Sequence, residues 1–385
     1  MKIGIISIIH EPWGGSEELW AAMAHDALDA GHQVVFCSYH FGSTHPKVQA
    51  LQQKGLQLAP RMAYVPGSAS GWMRKMKKAL YWCLHKVRSP YAKLLSTQPD
   101  LLFYNGTSLS ILEDPHLQKH WQAFTGKKVI LAHYLPEHNS VMPFSDRIAL
   151  QDFFKASQHA LFVSQRTALV TQRTAALPNL SYSLVRNPVN MPGNNLVAWP
   201  QQTDITQLAM VGNLIAVHKG QDVMLQLLGT DEWKQKAWHL NIYGDGMDKE
   251  YLQSLAEMYG IAGKVTFHGR VNDIRHLWSQ NHLLLMPSVM EGMPLAVVES
   301  MLCGRPVVAT DVGGHAEWID DNVNGFLAAA STVNELQDAL ERAWERRADW
   351  EHIGRLAHEK AMQLYDPTPG EKLLHLLEQV AGKKG

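Results

Sequence analysis

Cysteine is scarce: Cys37, Cys83 and Cys303 are all there is in 385 residues. They share no Cys-x-x-Cys spacing and cannot all pair, which argues against a disulfide framework and a zinc site and fits a reduced, cytoplasmic compartment. No apolar run reaches the roughly eighteen residues of a membrane span, and the opening run Ile3–Ile9 is too short for a secretory segment, so it reads as a first strand. No Asp-x-Asp triplet or other cluster of hard oxygen ligands suggests a magnesium or manganese site, so no metal is expected. No Gly-x-Gly-x-x-Gly follows the first strand, which counts against a nicotinamide dehydrogenase. The net charge of −1 gives no global field for nucleic acid. Acid is missing locally as well: between Asp29 and Asp100 there is no Asp or Glu. That stretch holds Lys47, Lys54, Arg61, Arg74, Lys75, Lys77, Lys78, Lys86, Arg88 and Lys93, and predicts a strongly positive face.

With 46% hydrophobic and 18% charged residues the chain is globular, and its length calls for two domains. Short apolar runs alternate twice with helical patterns, the signature of parallel sheets covered by helices. The first series has strands near 3–9, 33–39, 101–105, 128–133, 160–164 and 183–186. Its first helix is expected after Gly14-Gly15, with Ser16 as N-cap and Glu17 and Glu18 in the opening turn. The second has strands near 207–212, 239–244, 265–268, 283–287 and 307–310, with helical patterns such as 219–228 and 294–303. The turn-forming segment 187–195 lies between them as a linker. The expectation is an α/β chain of two Rossmann-like doubly wound domains facing a cleft, residues 1–188 and 189–365. A helix in 366–385 should return to the first domain. Ligand sites belong at the carboxyl ends of the strands.

The segment from Pro287 to Met301 carries the most chemistry. A strand ends at Met286-Pro287, a turn follows, and a helix starts near Pro294. Amides at Gly292, Met293 and Leu295 then point from a helix N-terminus toward the strand end and suit phosphate or sugar oxygens. Glu291 before the helix and Glu299 inside it address different parts of one ligand, each suited to a vicinal diol. The alternative reading makes Glu291 a dipole-favouring acid and Glu299 a solvated helix residue.

Together with Gly304–Gly314, this segment resembles the retaining family 4 glycosyltransferases of GT-B fold. The likeness extends over most of the second domain. It includes Val211-Gly212-Asn213 with His218-Lys219-Gly220, then Ile242-Tyr243-Gly244-Asp245-Gly246, Val265–Val271, and Asn322–Leu327. The resemblance implies that Glu291 holds the donor sugar near its anomeric centre and that Glu299 accepts hydrogen bonds from ribose hydroxyls. Lys219 would meet the donor pyrophosphate, the backbone at Arg270 and Val271 the nucleobase, and Asp245 would belong to the same donor site. One departure is Asn213, where the family usually has Arg; an uncharged donor there is about half as strong as a charge-assisted one.

In the first domain the likeness rests on Gly14-Gly15-Ser16-Glu17 and on His133, which ends a strand and which the family places beside the donor phosphate and sugar. Because Glu17 and Glu18 fill the first turn, a sugar or acceptor hydroxyl suits Gly14 and Gly15 better than a phosphate. The segment Trp72–Lys93 mixes aromatics with seven cations and no acid. Trp72, Met76, Leu80 and Leu84 share one face at helical spacing, as in a helix lying on an anionic membrane or an anionic lipid-linked acceptor.

The resemblance thus implies metal-independent transfer of a sugar from a nucleotide diphosphate-sugar to an acceptor glycan or lipid-linked sugar, with retention and without a cofactor. The setting would be cytoplasmic or peripheral on the inner face of the membrane, in cell-surface glycan or glycolipid synthesis. The alternative, kept open by Asn213, is a catalytically silent relative acting as a nucleotide-sugar or partner-binding subunit.

Overall fold

The computed structural model describes every residue except His10, Gly42, 63–70, Arg74, 77–78, 81–88, 138–141, Asn190, Pro192, 202–203 and 383–385. It divides into two compact units, Met1–Pro188 with Asp366–Gly385, and Val189–Tyr365.

Unit 1 is built on seven parallel strands: β1 (Lys2–Ser7), β2 (Gln33–Cys37), β3 (Gln57–Leu58), β4 (Leu101–Gly106), β5 (Lys127–Ala132), β6 (His159–Phe162) and β7 (Tyr182–Leu184), in the order β3-β2-β1-β4-β5-β6-β7. Unit 2 has six: β8 (Thr206–Val211), β9 (Trp238–Tyr243), β10 (Val265–Gly269), β11 (Leu283–Met286), β12 (Val307–Thr310) and β13 (Phe326–Ala328), in the order β10-β9-β8-β11-β12-β13. Helices cover both faces, so central strands are apolar along their whole length; every residue of Leu283–Met286 and Val307–Thr310 is buried. In each sheet the strand order reverses once, between β1 and β4 and between β8 and β11. Open α/β sheets bind ligands beside such a reversal, at the carboxyl ends of the strands.

The two-residue β3 and the three-residue β13 lie outside the sequence expectation, being too short to leave a periodic signal. Ser16 makes no capping bond. The chain instead takes a 3-10 turn over Gly15–Glu17 before the helix Glu18–Asp29. The helix expected over 219–228 is two, Ala216–Lys219 and Gln221–Leu228, broken at Gly220. The helix Pro369–Val380 belongs to unit 1, burying Leu373 and Leu377 completely and placing Glu378 Oε1 2.8 Å from His32 Nε2.

The acid-poor stretch is less uniformly cationic on its surface than its composition implies. Arg61 is buried, its guanidinium donating to the Ser7 and Cys37 carbonyls. Lys47 pairs with Glu18 and Lys54 with Asp29. Of the segment Trp72–Lys93, positions Arg74, 77–78 and 81–88 lie outside the described residues, Lys77, Lys78, Trp82 and Leu84 among them. Trp72 is 70% exposed, and Met76 and Leu80 are exposed too, so these side chains do not pack inward.

Candidate active site

In unit 2, two loops meet at the strand reversal. After β8 the chain turns through Gly212 into the helix Ala216–Lys219, and the His218 carbonyl accepts from the amides of Val289 and Met290 in the loop after β11. Gly220, at φ +64°, closes this contact. A Cβ there would lie 2.0 Å from the Pro287 carbonyl oxygen, so only glycine fits. On the other side, Gly313 at φ +55° lies against Glu291, where a Cβ would approach the Glu291 carbonyl oxygen to 2.1 Å. The Gly314 amide donates to the Gly292 carbonyl at 2.8 Å.

This packing brings two sequence-expected residues together. Lys219 Nζ donates to Glu291 Oε1 at 2.5 Å, and Ser288 Oγ donates to the same oxygen at 2.9 Å. Burial alone would raise the Glu291 pKa, but Lys219, His315 and these two hydrogen bonds outweigh it and hold it below the ordinary 4.5, so the carboxyl is ionised. Thr310, ending β12, donates its hydroxyl to the Ser288 carbonyl, and its own carbonyl accepts from His315 Nδ1. His315 is wholly buried and its Nε2 has no partner among the described residues; burial lowers its pKa. Ser288 and His315 escaped the sequence reading because neither lies at a position whose spacing advertises it.

Glu299 lies in the helix Leu295–Leu302, 8% exposed. Desolvation is the sole cause pushing its pKa up to about 8. Buried carboxylates are ordinarily paired, and a carboxyl perturbed by desolvation alone is a candidate for a functional site. Met293 is buried, Gly292 and Leu295 half-buried. Asn213 and Asp245 are exposed; Asn213 gives its carbonyl to Gln221 Nε2, and Asp245 accepts from the Gly246 amide. Arg270 and Val271 follow β10 and are exposed. Val271 lines a cavity of about 960 Å³ with Trp199, Tyr243 and His268, and that cavity includes none of Lys219, Glu291 or Glu299.

In unit 1 a second polar cluster occupies the reversal between β1 and β4. Glu17, expected in the opening turn of the first helix, is 2% exposed. It accepts from Ser7 Oγ at 3.0 Å, Trp20 Nε1 at 2.8 Å and Asn105 Nδ2 at 2.7 Å. Burial pushes its pKa up to about 7, against the lowering effect of these donors. His133, just past β5, places Nε2 2.8 Å from Asn105 Oδ1, and burial brings its pKa down to about 4. Gly14 and Gly15 open the 3-10 turn that carries Glu17, whose amide donates to the Gly14 carbonyl at 2.9 Å.

Residues 206–346 match the family model of the glycosyl transferases group 1. An uncharacterized glycosyltransferase of Haemophilus influenzae is 24% identical over 348 residues, 88% of this chain and 89% of its own. The poly(ribitol-phosphate) α-N-acetylglucosaminyltransferase of Staphylococcus aureus is 26% identical over 145 residues, 37% of this chain and 29% of that enzyme. Among solved structures, HepE of Anabaena in complex with UDP and glucose superimposes with a TM-score of 0.72 at 20% identity, covering 98% of this chain and 100% of that one. The fold is thus of the GT-B type. On that scaffold residues 206–346 are similar to the group 1 glycosyl transferases.

Proposed function

We propose that the protein transfers a sugar from a nucleoside diphosphate-sugar to an acceptor hydroxyl with retention at the anomeric carbon. The observation that supports this most is the half-buried Lys219–Glu291 pair at the strand reversal of the domain that matches group 1, with Glu299 on the helix that follows. Lys219 offers two further ammonium protons to a diphosphate, Glu291 accepts from sugar hydroxyls, and Glu299 accepts from a ribose diol. Gly292, Met293 and Leu295 lie at the start of the helix carrying Glu299 and add backbone dipoles at the phosphates; Asn213, Asp245, Arg270 and Val271 complete the donor site. In unit 1, Gly14, Gly15 and His133 bind a sugar hydroxyl.

The bond from anomeric carbon to phosphate oxygen breaks, and the acceptor oxygen bonds to that carbon on the same face. The acceptor proton passes to the departing phosphate, so the products are a glycoside and a nucleoside diphosphate. The protein's part is positioning and stabilising charge on the leaving diphosphate without a metal. HepE, solved with UDP and glucose, makes UDP-sugars the first donors to test. The staphylococcal relative, named for poly(ribitol-phosphate), points to a cell-surface glycan or glycolipid acceptor. The exposed Trp72, Met76 and Leu80 support docking of the Trp72–Lys93 segment on anionic membrane. No described helix is long and apolar enough to cross one.

The test is a thermal-shift panel of uridine, guanosine, adenosine and cytidine diphosphates with and without sugars, followed by transfer assays with the donor that stabilises. A ligand bound by the native state alone raises its stability by mass action. A panel with no stabilising member refutes a donor site. Binding without donor hydrolysis or transfer would favour the second reading, a silent nucleotide-sugar or partner-binding subunit, to which the uncharged Asn213 points.

A further inference from the structure

The polar chain in unit 1 has a direction. Trp20 Nε1 can only donate, and it donates to Glu17 Oε2. Glu17 Oε1 faces the Asn105 side chain at 2.7 Å; above about pH 7, where Glu17 is an ionised carboxylate, it can only accept, so Asn105 turns its NH2 toward Glu17. The amide oxygen then faces His133, 2.8 Å from Nε2, and an amide oxygen only accepts. Nε2 must therefore carry the hydrogen. The other ring nitrogen, Nδ1, is buried without a hydrogen-bond partner among the described residues.

We infer that the chain Trp20–Glu17–Asn105 fixes His133 as its Nε2–H tautomer, leaving Nδ1 as a lone-pair acceptor that takes a ligand hydroxyl and not a phosphate. Asn105 and Glu17 are positioning residues in this scheme. A neutral ring with a bare Nδ1 cannot donate to an anion, and the low basicity that burial gives His133 keeps the ring neutral throughout the physiological range. The resemblance of the sequence sets a histidine here beside both phosphate and sugar; the direction of the chain selects the hydroxyl. Glu17, 2% exposed behind Asn105, would further disfavour an anion. The inference rests on the transferase reading only for the identity of the hydroxyl, which belongs to the donor sugar or to the acceptor.

Two-bond nitrogen–proton correlation spectra of the full chain, labelled with 15N-histidine, test the tautomer directly, with His133 assigned by its loss in His133→Gln. The expected result is a protonated Nε2 and a bare Nδ1 at about pH 8, where Glu17 is ionised. Asn105→Leu should let the second tautomer appear. If that variant fails to fold, Asn105→Asp, which must share one proton with Glu17 across the same 2.7 Å contact, keeps an acceptor toward His133 and should preserve the tautomer. A protonated Nδ1 in the wild type, or a tautomer unmoved in Asn105→Leu, overturns the inference. In transfer assays His133→Gln, which keeps an acceptor, should exceed His133→Lys, which has donors only, by about tenfold, one hydrogen bond's worth; the opposite order restores a phosphate contact. Loss of donor hydrolysis together with transfer places the hydroxyl on the donor sugar, and loss of transfer alone places it on the acceptor. A wild type with no transfer activity refutes the transferase reading and leaves the tautomer result standing.

Discussion

Glu299→Gln should stabilise the ligand-free protein, and more so as the pH rises. The carboxyl is 8% exposed, desolvation is the sole cause acting on it, and its pKa moves from the ordinary 4.5 up to about 8. A carboxyl raised on folding costs nothing while it is protonated in both states. The cost begins above the unfolded value of 4.5, grows through the interval, and levels off above about pH 8. At pH 7 the window already covers 2.5 pH units, from 4.5 to 7, equivalent to about 3 kcal/mol at 1.36 kcal/mol per unit. Local relaxation and water reaching the exposed edge reduce this, so a gain of about 1–3 kcal/mol is expected. Glutamine has the same shape and carries no charge to desolvate.

The assay is urea unfolding of wild type and Glu299→Gln at pH 5 and pH 8, following the transition that the substitution moves. The variant's advantage should be small at pH 5 and several times larger at pH 8. An advantage equal at both values, or a variant less stable at pH 8, would mean that Glu299 already has a partner in the free protein, and the diol assignment would lose its physical basis. A ligand diol donating to Glu299 should also draw its pKa down, so nucleotide binding at pH 7 should release close to one proton. Calorimetry in buffers of different ionisation enthalpy measures this directly.

Glu291→Gln and Lys219→Ala should each reduce transfer at least about a hundredfold with the fold retained by circular dichroism, and near-normal rates in either would remove the site assignment. Asn213→Arg should tighten nucleoside diphosphate binding by about 1–2 kcal/mol in calorimetry, whereas unchanged affinity would place the pyrophosphate elsewhere. Transfer should persist in excess chelator, and a loss reversed by magnesium or manganese would refute the metal-free mechanism. The protein should sediment with anionic but not neutral liposomes, less at high salt and less with Lys75, Lys77 and Lys78 changed to Glu; equal sedimentation of that variant would exclude the membrane surface.

The parts of the fold that the sequence reveals are those with local period. The apolar runs of β1, β5, β11 and β12 stand out because central parallel strands are buried on both faces, and the glutamates at 291 and 299 stand out because they flank a strand–turn–helix junction. What stays hidden depends on long-range pairing. The two-residue β3 exists because β2 lends it a partner, and nothing in Gln57-Leu58 announces a strand. Glu17 reads locally as a helix-starting acid, and becomes a buried acceptor only because Asn105 arrives from 88 positions away on the strand beside β1. His315 follows a glycine pair whose visible role is a turn, while its ring is oriented by the Thr310 carbonyl in a contact that exists only once the strand β12 has formed. In both units the hidden groups are polar, buried and at the strand reversal. Burying polar groups there costs stability unless each finds a partner, and among the described residues His315 Nε2 and His133 Nδ1 are two of the buried side-chain atoms without one, which is why they carry the proposals made for these loops.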